Sequence, residues 1–564
     1  MSVANTAPSM PQHRASVIQK CKVVGEYMKR YGLHLLNVSC IVDEKSNLTH
    51  RTVVNSASTL NYLLEISARN PKTTNIILIN ARLPHPDPEK MDLLWSIECR
   101  EGSVALISKQ RHSISPIWWT GNNTHVVNCQ GSLVLPSLCH PHVHLDKCFI
   151  LGKCGRLQRG NFDEAMKLTG KAKASFPQSS SDLYSRGARL VTESLECGVT
   201  SMRAHIEVDT IVGLVCFETG LRLKEHFDGA CEVQIAVFAQ EPLFLSPTDN
   251  DPGPNFDILQ TVASNSGVAV IGSAPYVEPT IKQAKQNIRL ILELASMHGL
   301  HADFHLDYNI DSHTEPLIHE VIAQVRQLIG QWRSIDETAP QPRITIGHAS
   351  RLQLFSPSEW RRLIADIGDL PISFVGLPQS DMYMLGGEGE RKQPLGSPRS
   401  TLRVPSLARD YGLQVAMGVN NVDNPFTPQG SLDPLSLCTF GVAVFQAATT
   451  EDIEALALSV TSVAKTAVGL GRGHTQLFPS LSQPADFVIL HDNQNIRSAI
   501  LNPSYDRTTI CAGRIVSQRR THKWIKLARN EKDIGALSWY RHLRWLALLG
   551  LLPSYALFRY YKSK

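Results

Sequence analysis

Between about residues 75 and 520 the chain is built from short apolar runs separated by polar or amphipathic stretches, and the spacing of those runs changes twice. From Asn75 the runs are brief and close together: Ile76–Ile79, Leu94–Ile97, Val104–Ile107 and Val126–Val127, parted by Pro and Gly turns. That texture predicts β-structure with little helix, and it returns late in Ala485–Leu490, Thr509–Ile510 and Arg514–Val516. Between the two blocks, from Leu138 to Gly473, apolar runs alternate with segments of helical period, which predicts repeated βα units and a parallel sheet. Eight runs read as its strands: Leu138–His144, Val199–His205, Glu232–Phe238, Val268–Gly272, Leu300–Leu306, Arg343–His348, Ile372–Val375 and Leu413–Val419. The apolar run Leu133–Leu138 reads as a buried parallel strand leading into the first of them. The clearest helix carries Ile281, Ala284, Ile288, Ile291 and Ala295 at helical spacing and is closed by Gly299. A middle segment of roughly 335 residues suits a (β/α)8 barrel with insertions. The predicted organisation is an N-terminal extension (1–74), a first β-rich segment (75–137), the barrel (138–480), a second β-rich segment (481–520) and a C-terminal tail (521–564).

The candidate chemistry sits at the ends of these runs. In Cys139-His-Pro-His-Val-His-Leu-Asp-Lys147 three histidines alternate, and alternate residues of a strand share a face, so His140, His142 and His144 are expected to point the same way. Two imidazoles so placed reach one metal ion. With 21 histidines in 564 residues, roughly one His-x-His pair arises by chance, so position has to carry the reading. Polar residues end other runs as well: His205 on the second, Gln240-Glu241 after the third, His305 and Asp307 on the fifth, His348 on the sixth, Asn420-Asn421 after the eighth. If the runs close into a barrel, these side chains converge on one mouth. Singly, His205 is equally a hydrogen-bonded core histidine and Asp307 equally a strand-end cap.

Composition narrows the classes. The chain is 43% hydrophobic and 19% charged, with a formal charge of +5, and it shows no basic stripe or stacking motif, which argues against a nucleic-acid polymer as partner. The 12 cysteines are scattered without Cys-x-x-Cys spacing, and the start, Met1-Ser-Val-Ala-Asn-Thr, lacks a signal-peptide pattern, so a reducing, cytoplasmic setting is expected. Trp545–Phe558, flanked by Arg541, Arg544, Arg559, Lys562 and Lys564, falls short of the roughly 20 residues needed to span a bilayer. It reads either as an anchor at the membrane surface or as a terminal helix packed on the body or on a partner. A homo-oligomer is compatible with the chain but leaves no mark in one sequence.

From about Asn75 to Arg519 the sequence resembles the cytosine deaminase-like branch of the amidohydrolase superfamily. The resemblance rests on motifs in order: Pro141-His-Val-His-Leu-Asp146, Met202-Arg-Ala-His-Ile-Glu207, Val233-Gln-Ile-Ala-Val-Phe-Ala-Gln-Glu241, Gly272-Ser-Ala-Pro275, Asp303-Phe-His-Leu-Asp307, Gly347-His348, and Gly418-Val-Asn-Asn421 followed by Pro425. It implies an α/β fold, a (β/α)8 TIM-like metal-dependent hydrolase barrel with a small β-sandwich formed by the flanking segments. It also implies His142, His144 and His305 as metal ligands, His348 as the histidine that meets the reacting centre, and Gln240 as a reader of the substrate's amide edge. Lys147 is then an outer-shell charge, not a bridging ligand, so one divalent ion, zinc or iron, is expected.

Two positions depart from the family pattern. Asn420 stands where an aspartate binds the metal and takes its water's proton; a carboxamide ligates through oxygen but is not basic. Tyr308 stands where a glutamate shuttles protons. Three neutral imidazoles on zinc bring the pKa of a bound water to about 7 without a carboxylate, which leaves Asp307 or His348 to move the proton. The sequence therefore predicts a mononuclear hydrolase acting on a non-peptide carbon–nitrogen bond of a cyclic amide, ureide or amino-substituted heterocycle. The competing expectation is a catalytically silent barrel kept as a binding or scaffold protein. The loops Leu377–Met382 and Met384–Gly387 are expected to shape the pocket.

Overall fold

The computed structural model describes residues 75–110, 124–332, 341–385, 398–471 and 475–525. The N-terminal extension and the apolar stretch 545–558 lie outside the described residues, within which no helix is long and apolar enough to cross a membrane.

Eight parallel strands form one sheet in sequential order: β6 (Leu138–His144), β7 (Val199–Glu207), β8 (Glu232–Ala239), β9 (Val270–Ser273), β10 (His301–Leu306), β11 (Ile344–His348), β12 (Ile372–Gly376) and β13 (Val415–Met417). Every expected barrel strand is present, because each run is apolar enough to be buried on both faces, as a parallel sheet under helices requires. Closure between the last strand and the first passes through Asn420. Its amide donates to the His142 carbonyl at 3.1 Å and its carbonyl accepts from the His144 amide at 2.8 Å.

Covering helices include α1 (Phe162–Lys173), α2 (Ser180–Glu196), α3 (Ile281–Met297), α4 (Ile318–Leu328), α5 (Pro378–Met384) and α6 (Pro434–Phe445). Of the periodic positions on α3, Ala284, Ile288, Ile291 and Ala295 are buried. Ile281, at its first turn, is exposed, so the apolar stripe begins one turn later than the spacing suggests. Thr280 starts that helix by accepting from the Gln283 amide.

The β-rich flanks make a second, mixed sheet from β1 (Asn75–Arg82), β2 (Leu94–Arg100), β3 (Ser103–Lys109), β4 (Thr124–Asn128) and β5 (Leu133–Pro136) with β14 (Phe487–Leu490), β15 (Arg507–Cys511) and β16 (Arg514–Arg519). One expectation fails here. Leu133–Leu138 is not a single strand of the barrel: β5 pairs antiparallel with β14 in the second sheet, and only Leu138 belongs to β6. Pro136 and Ser137 mark the break, a proline being tolerated where ladder bonding ends. An unbroken apolar run conceals such a change of sheet, since both halves are equally buried.

Candidate functional site

His142 and His144 leave β6 on its inward face and meet His305 from β10. The Nε2 atoms of His142 and His144 each lie 2.9 Å from Nε2 of His305, and all three rings are buried. His140 does not join them: its Nε2 lies 3.2 Å from the Ser194 hydroxyl on α2. The pairing of β6 with β7 shifts register between His140 and Val143, and that irregularity turns His140 outward despite the even spacing. Burial, then neighbouring positive groups, holds His142, His144 and His305 well below the usual imidazole range, which favours the neutral rings. Gly347 on β11 makes room for this cluster, since a Cβ there would sit 3.0 Å from Cε1 and 3.1 Å from Nδ1 of His142.

Three strand ends adopt left-handed backbone: Asp307 (φ 52°), His348 (φ 68°) and Asn420 (φ 62°). Such conformations cost energy in non-glycine residues and concentrate at functional sites. Each redirects a side chain that strand alternation alone would aim elsewhere. His348 turns so that its Nδ1 donates to Asp381 on α5 at 2.7 Å, leaving Nε2 for the pocket; Asp381 also accepts from the Thr401 hydroxyl at 2.7 Å. The Asn420 carboxamide donates from Nδ2 to the Ser380 hydroxyl at 2.8 Å, while its Oδ1 is buried without a protein partner.

Asp307 is brought elsewhere. Its two oxygens accept from the amides of Leu317 and Ile318 at 2.8 and 3.1 Å, capping α4. Of the two readings offered for Asp307, strand-end cap and proton-transfer group, the structure places it in the geometry of the first: β10 ends at Leu306, the left-handed turn follows, and the carboxylate meets the helix terminus. Burial outweighs those two bonds and pushes its carboxyl up to about 6.

Gln240, just past β8, is buried and accepts at Oε1 from Lys147 at 3.2 Å. Lys147 in turn pairs with Glu207, whose second oxygen lies 2.8 Å from Lys173; Lys173 also reaches Asp209 and Glu241 at 2.7 Å each. Burial pushes the Glu207 carboxyl up, and the two lysines outweigh it and hold it below the ordinary range. Above the histidines stands an aromatic wall. The Tyr308 ring lies tilted over His348 with centroids 3.7 Å apart, and Tyr276 and Phe162 are 5.9 Å from Tyr308. Phe426 packs on Phe162 at 5.8 Å.

A second grouping shares two of the same histidines. His142, His205, Asp303 and His305 offer ligand atoms within 4.8 Å of one another. In it, however, Asp303 is already 2.8 Å from the guanidinium of Arg203 and 3.2 Å from His205 Nε2. Burial pushes Asp303 up, and His205 and Arg203 outweigh it, keeping it an anion.

Sequence reasoning missed Asp381 and Thr401, and in Ser380 and Asp381 it read only a pocket loop. The available signal was Pro378, whose place at the start of α5 marks a helix that points its first turn at the mouth.

Comparisons with solved structures agree on architecture. No protein-family model matches the chain. A stretch of 311 residues, 54% of the chain, is 22% identical to the uncharacterized protein YahJ of Escherichia coli, and the match spans 58% of that relative's length. The structure is similar to 5-methylcytosine deaminase from Klebsiella pneumoniae, with a TM-score of 0.66 and 20% identity over 80% of this chain and 99% of that one. It is also similar to N-isopropylammelide isopropylaminohydrolase from Burkholderia multivorans, with a TM-score of 0.59 and 20% identity over 79% and 99%. The chain thus shares the fold of these two solved enzymes, a (β/α)8 barrel with a second sheet beside it.

Proposed function

We propose that the protein is a metal-dependent hydrolase that cleaves a non-peptide carbon–nitrogen bond in a cyclic amide, ureide or amino-substituted heterocycle. The observation that carries this reading is the convergence of three buried Nε2 atoms from β6 and β10. Neutral imidazoles at that separation need either a proton between each pair or a cation among them, and a divalent ion satisfies all three at once. The unpartnered Oδ1 of Asn420 supplies a fourth donor of a kind zinc or iron accepts. The overlapping group with His205 and Asp303 suits an ion less well, because Arg203 already neutralises Asp303 and would repel a second cation.

His142, His144, His305 and Asn420 would hold a divalent ion, which would supply polarisation of a carbonyl or amidine and a more acidic water. The protein's own groups do the rest. His348, oriented by Asp381, passes a proton at Nε2 between the attacking and leaving groups. Gln240, its oxygen engaged by Lys147, turns its Nε2 amide to the substrate and so receives a carbonyl or ring nitrogen. Tyr276, Tyr308, Phe162 and Phe426 receive the face of a planar ring and keep water out.

The test is elemental analysis of the purified protein beside a His142→Ala, His144→Ala variant, with ammonia or amine release assayed over cyclic amides and aminated heterocycles. About one zinc or iron per chain, lost in the variant, is the expected result. A folded wild type that takes up no metal on resupply would remove this reading. It would leave the silent binding barrel, which one observation already favours: Asn420 and Tyr308 are uncharged and Asp307 is committed to a helix cap, so none of these three supplies a free carboxylate.

A further inference from the structure

A carboxylate presents the same oxygen whichever way it turns, but a carboxamide has one end that can ligate and one that can only donate. Asn420 therefore works as a ligand only if something fixes its flip. Its backbone is already fixed, stitched to His142 and His144 by two hydrogen bonds and held at φ 62°. The remaining freedom is the side-chain amide, and in the structure it is turned so that Nδ2 donates to Ser380 Oγ at 2.8 Å, the hydroxyl oxygen acting as acceptor. The opposite end, Oδ1, is buried and has no protein partner. Ser380 is itself buried, on the first turn of α5, and its neighbour Asp381 is tied to both His348 and Thr401.

From this we infer that Ser380 is a positioning residue for the metal site: it holds the Asn420 carboxamide with the oxygen, not the nitrogen, turned toward the histidine cluster. The inference rests on the proposed metal-dependent reading and adds to it a second consequence. With Asn420 locked in this sense the site offers four neutral donors, so a bound divalent ion keeps its full charge. Such a site binds the ion less tightly than one with a carboxylate in that place, and it favours an anionic or strongly polarised group in the open position. One short helix then serves both halves of the chemistry, Ser380 through the ligand and Asp381 through His348.

The experiment is a zinc titration of the metal-free full-length protein against a competing chromophoric chelator, repeated with cobalt(II) to read the ligand field. Four proteins are compared: wild type, Ser380→Ala, Asn420→Asp, and the double variant. Ser380→Ala is expected to weaken zinc binding about 10- to 100-fold, the usual cost of losing an outer-shell partner, and to shift the cobalt spectrum. Asn420→Asp is expected to bind zinc more tightly than wild type. In the Asn420→Asp background the same serine change is expected to cost far less, because a carboxylate needs no orienting. Ser380→Thr, which keeps the hydroxyl, is expected to hold affinity near wild type and guards against a folding defect in the alanine variant. An unchanged affinity in Ser380→Ala, or an equal loss in both backgrounds, would overturn the positioning role. A wild type that binds neither ion would instead bring down the metal reading itself, and the two failures are told apart by the first titration.

Discussion

At the scale of single residues, the site is a set of neutral nitrogens and amides held in place by a few charged partners. His348 is the clearest case. Asp381 accepts from its Nδ1, which fixes the ring's tautomer and leaves Nε2 to carry the proton. Replacing Asp381 with Asn is expected to lower turnover of whichever ring the substrate screen yields by about 10²- to 10⁴-fold, the range for losing an oriented acid–base group. Metal content, measured on the same sample, should stay at the wild-type level. Glu207 supplies a prediction of a different kind. Burial raises its carboxyl, and Lys147 and Lys173 outweigh that and hold it below its unfolded value. A group depressed in this way adds stability above the ordinary glutamate range near 4 and loses it as pH falls through the folded value. Urea midpoints taken from pH 7 down to pH 3 should therefore fall more steeply for wild type than for Glu207→Gln. The variant should be the less stable protein at neutral pH, where buried Lys147 loses its carboxylate partner and Lys173 keeps only Asp209 and Glu241.

At the scale of elements, strand ends and helix starts share side chains. Asp307 terminates β10 and caps α4, and both of its oxygens are engaged. Asp307→Ala is expected to cost about 0.5–2 kcal/mol in thermal or denaturant unfolding, as for loss of a helix cap, with zinc affinity little changed. A loss of metal alongside unchanged stability would contradict the capping role. The sequence could name Asp307 as a group at a strand end, with capping as one of two readings. What it could not show was the left-handed φ that takes the side chain off the strand face and onto the helix. His140 teaches the same lesson, since alternation predicts an inward histidine and the register shift between His140 and Val143 sends it to Ser194.

At the scale of the whole molecule, the barrel and the second sheet meet along a face fastened by polar as well as apolar contacts. Arg507 on β15 reaches Asp433, at the start of α6, through two bonds of 2.7 Å, and donates to the Cys197 carbonyl at 2.6 Å. Burial pushes Asp433 up, and Arg507 outweighs it and holds the carboxyl low. Arg507→Leu would leave a buried carboxylate alone and is expected to cost about 3–5 kcal/mol, read from urea unfolding. Gly198 lies against β14 with φ 99°, where a Cβ would stand 2.6 Å from Val488 Cγ2. Gly198→Ala should destabilise through both the backbone and the clash, while the histidine cluster keeps its metal.

By itself the sequence determined the eight barrel strands, the bracketing β-rich segments and the motif histidines, because double-sided burial and strand-end placement leave apolar runs and polar punctuation that one chain displays. Tertiary structure decided everything that depends on a partner distant in sequence or on a single backbone angle. It split Leu133–Leu138 between two sheets, turned His140 away, committed Asp307 to a cap, and brought Ser380 and Asp381 to Asn420 and His348. Hydrogen-bond direction and φ leave no periodicity to read, whereas burial does.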